Sequence, residues 1–172
     1  LYPVPCGVSV GNGYGKLTGA LQVEELGVME SMIGLTNTLS VPAVSRGLLE
    51  HSICSAAEPL RSLNVLVGET NDSILNDIQG FHVTPAHTAE AIASLSSTAA
   101  EGCVGAGTGT CCYGYKGGIG TASRLVPVTL GEGGTIFTVG ALAQTNFSGN
   151  PNLYGRPIPK GSLTMAQDGS CM

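Results

Sequence analysis

Between Gly102 and Arg124 the chain reads GCVGAGTGTCCYGYKGGIGTASR, and eight of these twenty-three residues are glycine. In a plain helix or strand each such glycine costs roughly 0.5 to 1 kcal/mol relative to alanine, so the segment is using backbone conformations or close approaches closed to other residues. Cys111, Cys112, Tyr113, Tyr115 and Lys116 are set among these glycines. Three readings fit the residues alone. One is an anion cradle of successive backbone N–H groups, although neither G-x-x-x-x-G-K-[ST] nor a clean strand, G-x-G-x-x-G and helix is present, and Lys116 is followed by Gly117. The second is a close-packed turn that brings Lys116 and backbone donors to an acyl-transfer centre, where they oppose developing negative charge. The third is a tight loop between buried strands.

The length of 172 residues fits one domain spanning 1–172. Charged residues make up only 11%, against a usual value of about 25%. A surface that poor in charge is expected to be partly covered by other chains. The net charge of −5 and the lack of a basic cluster argue against nucleic acid. No apolar run reaches the 18 or so residues of a membrane span, and no signal segment opens the chain. The expected location is the cytoplasm, with the periplasm as the alternative. Leu1, with no starter methionine, points to a true N-terminus upstream. Cys6, Cys54, Cys103, Cys111, Cys112 and Cys171 include no C-x-x-C pair, and His51, His82 and His87 complete no zinc spacing. Reduced thiols, no metal and no cofactor are expected.

Along the chain, Val4 to Val10 reads as a strand with an edge at Pro5, and Gly11 to Gly15 as a turn. Glu24 and Glu25 invite a general-acid reading. Adjacent helical residues, however, diverge by about 100° and do not act on one atom together. Met32 to Leu35 reads as a strand closed by a turn at Thr36-Asn37-Thr38. Ser40 and Pro42 open a helix whose face is Val44, Leu48, Leu49, Ile53 and Ala56. Asn64 to Val67 is a strand running into a polar loop, Gly68 to Asp72. Thr84-Pro85 starts a helix with Ala86, Ala89, Ile92, Ala93 and Leu95 on its apolar face. Leu125 to Leu130 and Thr135 to Thr145 read as strands, the second apolar on both faces as if sandwiched between layers. The tail from Gly149 is loop-like. Strands alternating with helices indicate layered α/β structure.

The blocks GNGYGKLTGALQVEELG, GLTNTLSV, VGETNDSILNDIQGFHVTPAH, EGCVGAGTGTCCYGYKGGIGTASR, TVGALAQTNF and DGS together resemble, in the same order, the self-processing aminopeptidases. These are the D-aminopeptidase/esterases and β-peptidyl aminopeptidases, with the nylon-oligomer hydrolases as relatives. The resemblance implies an αββα sandwich of the N-terminal-nucleophile hydrolase type. Here it is incomplete at both ends, because the D-V-P-G opening and the A-T-D-A-P block after the nucleophile are missing. It also implies that the chain is most of the larger (alpha) chain of a precursor that cuts itself in two. The smaller C-terminal chain of the same precursor would be its partner, and the processed pairs would assemble into a homo-oligomer, expected to be a tetramer.

Carried over by position, the nucleophile falls on Ser170 and the self-cleaved bond on Gly169-Ser170. The oxyanion-donating asparagine falls on Asn146, and the active-site lysine of the nylon-hydrolase branch on Lys116. The family tyrosine whose hydroxyl helps the oxyanion site is replaced by Ile74. Without the resemblance these residues have plain readings: a turn at Ser170, a strand-end cap at Asn146 and a surface lysine at Lys116. With it, the Ser170 hydroxyl is the nucleophile and its own α-amine, with a pKa of about 7.7 to 8.0 when unperturbed, takes the proton. The implied reaction is release of N-terminal residues from short peptides, amides or esters. An endo-amidase acting on nylon-like oligomers is the nearest alternative. A family member that has lost catalysis, with Ile74 as the sign, and serves as a structural or binding subunit is the other.

Overall fold

The computed structural model of the chain describes residues 3–130 and 133–163. The chain opens on β1 (Val4–Pro5), β2 (Leu17–Thr18) and α1 (Ala20–Leu26), followed by β3 (Val28–Met29), which pairs antiparallel with β1. The expected strand from Val4 to Val10 is thus only two residues long, since Pro5 brings no N–H to a ladder. Gly19 enters α1 at φ 84°, where an added Cβ would lie 2.5 Å from the Val65 carbonyl oxygen. Glu24 and Glu25 lie exposed on α1.

The centre of the molecule is a parallel pair. β4 (Ile33–Asn37) leads through a 3-10 turn at Thr38–Ser40 into α2 (Val41–Ser55), and the chain returns as β5 (Leu66–Thr70) beside β4. The register runs from Ile33 opposite Leu66 to Asn37 opposite Thr70, and β2 joins the other edge of β5 antiparallel. Val44, Leu48, Val65 and Val67 form the core between α2 and this sheet. Gly34 lets α2 sit close, because a Cβ there would fall 2.7 Å from Val44 Cγ1.

Two expectations are corrected at the ends of these strands. Thr36 and Asn37 belong to β4 and are buried, and Glu69 and Thr70 complete β5 and are buried as well. Their polar side chains signal turns, but Asn37 is met by Asp72, Glu69 by Lys16 and Thr70 by Gln144, all from distant segments. Asn37, not Ser40, provides the side-chain cap, accepting from the Ser40 N–H at 3.0 Å.

Helix α3 (Pro85–Ala93) starts where Thr84-Pro85 places it, and His87 closes a capping box by accepting the Thr84 N–H on Nδ1 at 3.0 Å. That capping position leaves His87 exposed at the start of α3. Its buried residue is Thr88, not the alanine stripe, and in α2 Ile53 is exposed while Val44, Gly47, Leu48 and Ser52 are buried. The two helices cross at Gly47, where a Cβ would come within 2.5 Å of Thr88 Cβ. Gly47→Ala is therefore expected to cost about 1 to 3 kcal/mol through overpacking. Thermal unfolding of the full-length protein checks it, with an unchanged Tm as the contrary result.

The glycine-rich segment forms a short hairpin, β6 (Cys111–Cys112) and β7 (Tyr115–Lys116), and continues into β8 (Ile119–Leu130) and β9 (Gly133–Gln144), which pair antiparallel along their whole length. Neither face of β8 and β9 is covered: Leu125 is 70% exposed and Ile136 67%, and Val126, Phe137, Val139 and Leu142 are exposed too. The expectation that the second strand is sandwiched is thus not met within this chain. The apolar faces fit the reading, but the layers that would cover them are not among the described residues. A small hairpin, β10 (Asn152–Leu153) with β11 (Arg156–Pro157), stands where the tail was read as loop.

Candidate active site

Of the glycines in this segment, Gly107, Gly109, Gly114, Gly117 and Gly118 serve close approach, and Gly102 and Gly105 take positive φ. Tyr113 at φ 53° and Gly114 at φ 79° make the two central residues of the β6–β7 turn, as a two-residue hairpin of the mirror-image type requires. At Gly117 a Cβ would sit 2.6 Å from both Thr110 Oγ1 and the Thr145 carbonyl oxygen, so only glycine lets the segment after β9 lie against β7. The backbone N–H groups are used internally: Gly117 donates to the Thr110 carbonyl at 2.8 Å, Gly118 to Thr145 Oγ1 at 3.0 Å and Gly107 to the Val104 carbonyl at 2.9 Å. An anion cradle built on these donors is therefore not what the segment forms.

Lys116 points its Nζ at the carbonyl oxygens of Gly107, 2.8 Å, and Gly117, 2.7 Å. An ammonium has three N–H donors, so one remains for another acceptor. Across the β6–β7 ladder from Lys116 is Cys111, which is buried. Burial pushes the Cys111 thiol above its ordinary pKa, partly offset by the nearby Lys116 charge. Thiolate, not thiol, is the nucleophile. Cys111 is accordingly expected to resist alkylation in the folded protein and to react once denatured, which mass spectrometry after iodoacetamide treatment would read; full labelling of Cys111 without denaturant is the contrary result.

Asn146 follows directly on this packing. Thr145 donates its N–H to the Gly118 carbonyl at 3.0 Å, the Phe147 carbonyl accepts from the Tyr113 N–H at 2.6 Å, and the Tyr113 and Phe147 rings meet edge to face at 5.5 Å. Asn146 is thus clamped from both sides and is 0% exposed. Neither its Oδ1 nor its Nδ2 has a hydrogen-bond partner among the described residues. A buried amide left so costs about 1 to 3 kcal/mol per unpaired group. The plain reading of Asn146 as a strand-end cap does not account for it.

At the carboxyl ends of β4 and β5, where parallel sheets commonly hold their sites, Glu69, Thr70 and Asp72 are buried together with Gln144 from the end of β9, and sequence reasoning did not single them out as site residues. Glu69 accepts the Lys16 N–H at 2.9 Å and a hydroxyl hydrogen bond from Thr38. Asp72 accepts on Oδ2 from the amides of Asn37, 3.2 Å, and Asn76, 2.9 Å, while its Oδ1 has no partner among the described residues. Gln144 donates from Nε2 to Thr70 Oγ1, tying the end of β5 to the end of β9. A signal was present: polar residues continue without a break from an apolar strand. The glycine segment thus joins the chain around Lys116 to that around Asn146. The Thr70–Gln144 bond brings in the loop that carries Ile74, which is 41% exposed. Gly169 and Ser170 lie outside the described residues.

With this geometry in place, comparison with known proteins gives the family. A profile of peptidase family S58 matches residues 1–172. The chain belongs to peptidase family S58. Among S58-like relatives, a beta-peptidyl aminopeptidase of Sphingosinicella microcystinivorans is 41% identical over 159 residues, covering 91% of this chain and 39% of the relative. Among solved structures, a Burkholderia sp. beta-aminopeptidase superposes with a TM-score of 0.75 at 40% identity, over 85% of this chain and 40% of that one. The L-aminopeptidase D-Ala-esterase/amidase of Ochrobactrum anthropi superposes with a TM-score of 0.78 at 37% identity, over 85% of this chain and 41% of that one. It is described as a prototype for the serine aminopeptidases and a variant among the Ntn hydrolase fold. This S58 chain thus has the α/β architecture of that fold, and spans about two fifths of the length of the relatives it matches.

Proposed function

We propose that this chain is most of the larger part of a serine N-terminal-nucleophile hydrolase, which releases N-terminal residues from short peptides, amides or esters after cutting itself at Gly169-Ser170. The observation that carries the reading is Asn146: a fully buried carboxamide, clamped by a glycine-rich hairpin, with neither polar atom paired among the described residues. An oxyanion site needs such a preorganised donor, held away from water so that its dipole acts at full strength. Its Nδ2 is the donor, Ser170 the nucleophile and its α-amine the base. Lys116, with one N–H uncommitted, adds positive charge beside the same segment. Assay of the full-length protein against D- and L-aminoacyl and β-aminoacyl p-nitroanilides tests the reading, and no hydrolysis of any of them by correctly folded protein would count against it.

Ile74 stands where the family tyrosine is expected, so the oxyanion site is one donor short. Ile74→Tyr is expected to raise kcat by about tenfold or more with little change in KM, since such a donor acts mainly on the transition state. A change confined to KM would move Ile74 away from that site. The smaller C-terminal chain is the partner, and the uncovered faces of β8 and β9 support burial against further polypeptide. The processed pairs are expected to form a homo-oligomer, a tetramer, by light scattering; a stable single pair at micromolar concentration would be the contrary result.

A further inference from the structure

The small hairpin of β10 and β11 lies between Asn146 and the end of the chain, and the segment leaving it does not run free. Ile158 donates its N–H to the Pro151 carbonyl at 2.9 Å, and residues 159–163 are then laid against the turn of β6 and β7. There Gly161 donates to the Tyr113 carbonyl at 3.0 Å, Leu163 donates to the Gly114 carbonyl at 2.9 Å, and the Tyr115 hydroxyl donates to the Pro159 carbonyl at 2.8 Å. A two-residue hairpin leaves the carbonyls of its two turn residues outside the ladder, so this turn has acceptors to offer. Glycine is needed on both sides of the contact: a Cβ at Gly161 would overlap the Gly114 carbonyl oxygen, and one at Gly114 would overlap the carbonyl oxygen of Gly161. The same turn holds the chain next to Asn146, since the Tyr113 N–H goes to the Phe147 carbonyl. Tyr113 thus ties the neighbour of Asn146 with its N–H and the segment 159–163 with its carbonyl.

We propose that this clasp, made by Tyr113, Gly114 and Tyr115 around residues 159–163, is a positioning element for self-cleavage: it fixes the tether on which the Gly169-Ser170 bond is presented to Asn146. The inference rests on the reading of that bond as the one the precursor cuts. In the cut the Ser170 hydroxyl oxygen takes the place of the Ser170 nitrogen on the Gly169 carbonyl, the hydroxyl proton passes to that nitrogen, and water then releases the Gly169 carboxylate. The attack has to take place beside the oxyanion donor. Gly169 follows Leu163 by six residues. An extended chain covers at most about 3.3 to 3.6 Å per residue, so the bond stays within about 20 Å of the clasp. With the clasp open, the last fixed point retreats toward Phe147, twenty-two residues before Gly169. Effective concentration falls roughly as the −3/2 power of tether length, so the bond meets the site about fivefold less often.

Two variants of the full-length protein test the proposal. Gly161→Ala opens the clasp with one methyl group, and Tyr115→Phe removes only the hydroxyl of a side chain that is 48% exposed. The precursor is made by cell-free synthesis with a short pulse of isotopically labelled amino acid, and intact mass over time gives the rate constant of cutting after Gly169. Gly161→Ala is expected to slow cutting by about fivefold, and Tyr115→Phe, which loses one hydrogen bond of the clasp, by about twofold. Once the bond is cut Ser170 is no longer on the tether, so kcat and KM per cut molecule are expected to match wild type in both variants. Their Tm, measured in the uncut Ser170→Ala background, is expected to match that background. Cutting of both variants at the wild-type rate would overturn the proposal and leave the self-cleavage reading standing. Slowed cutting matched in both variants by an equal fall in kcat per cut molecule, or by a lowered Tm, would make the clasp purely structural and overturn it as well. No cutting after Gly169 in wild type removes the self-cleavage reading, and the proposal with it.

Discussion

The Ser170→Ala variant of the full-length protein is expected to remain one uncut polypeptide and to hydrolyse no substrate. In the proposed mechanism the serine acts twice. Its hydroxyl oxygen attacks the Gly169 carbonyl, the peptide C–N bond breaks as the ester forms, and water then hydrolyses the ester to leave a Gly169 carboxylate and a Ser170 with a free amine. That amine and hydroxyl afterwards serve each turnover. Glycine before the serine is the residue that least resists a strained backbone at the bond to be cut. Removing the nucleophile of a catalytic unit typically lowers kcat by about 10⁶, so both events should fall below detection together. Intact-mass analysis beside an amidase assay decides it: splitting after Gly169 in the variant means that Ser170 is not the nucleophile.

Asn146→Leu should separate activity from stability in the opposite sense to an ordinary core mutation. Loss of one oxyanion donor lowers kcat by about 10² to 10³. The same substitution removes two buried polar atoms that no described residue pairs, and replacing unpaired polar groups by apolar ones of similar shape is neutral or stabilising by about 1 to 3 kcal/mol. A steep fall in kcat with an equal or higher Tm is therefore expected. A Tm lowered by several degrees, with activity lost only in proportion to folded protein, would make Asn146 a structural residue whose partners lie in the rest of the precursor.

Local chemistry made α2 and α3 readable in the sequence, because Pro42 and Thr84-Pro85 mark helix starts whatever surrounds them. The hairpin of β6 and β7 was foreshadowed by its glycines for the same reason. The polar ends of β4 and β5 were not. Glu69 is buried because Lys16, fifty-three positions earlier, brings its N–H to the carboxylate, and Thr70 because Gln144 reaches it from seventy-four positions later. Such pairings leave no mark in a window of a few residues, where Asn, Asp and Thr read as turn formers. The site divides the same way. The glycine segment pointed to Lys116, but the clamp on Asn146 depends on Gly117 and Gly118 meeting Thr145, and its role came from the family blocks.

The uncovered hairpin of β8 and β9 sets a problem for the ribosome and the cell. Long strands that are apolar on both faces pair readily with any similar segment nearby. From the time the hairpin emerges until its covering layers exist, its open apolar faces are prone to aggregation. At synthesis rates of roughly 5 to 20 residues per second, every hundred residues of cover made after it leave it open for about 5 to 20 s. Expression yield should therefore be governed by how quickly that cover arrives. If the proposed cut at Gly169-Ser170 takes place, it has to come after those layers have closed, so that cleavage waits on folding.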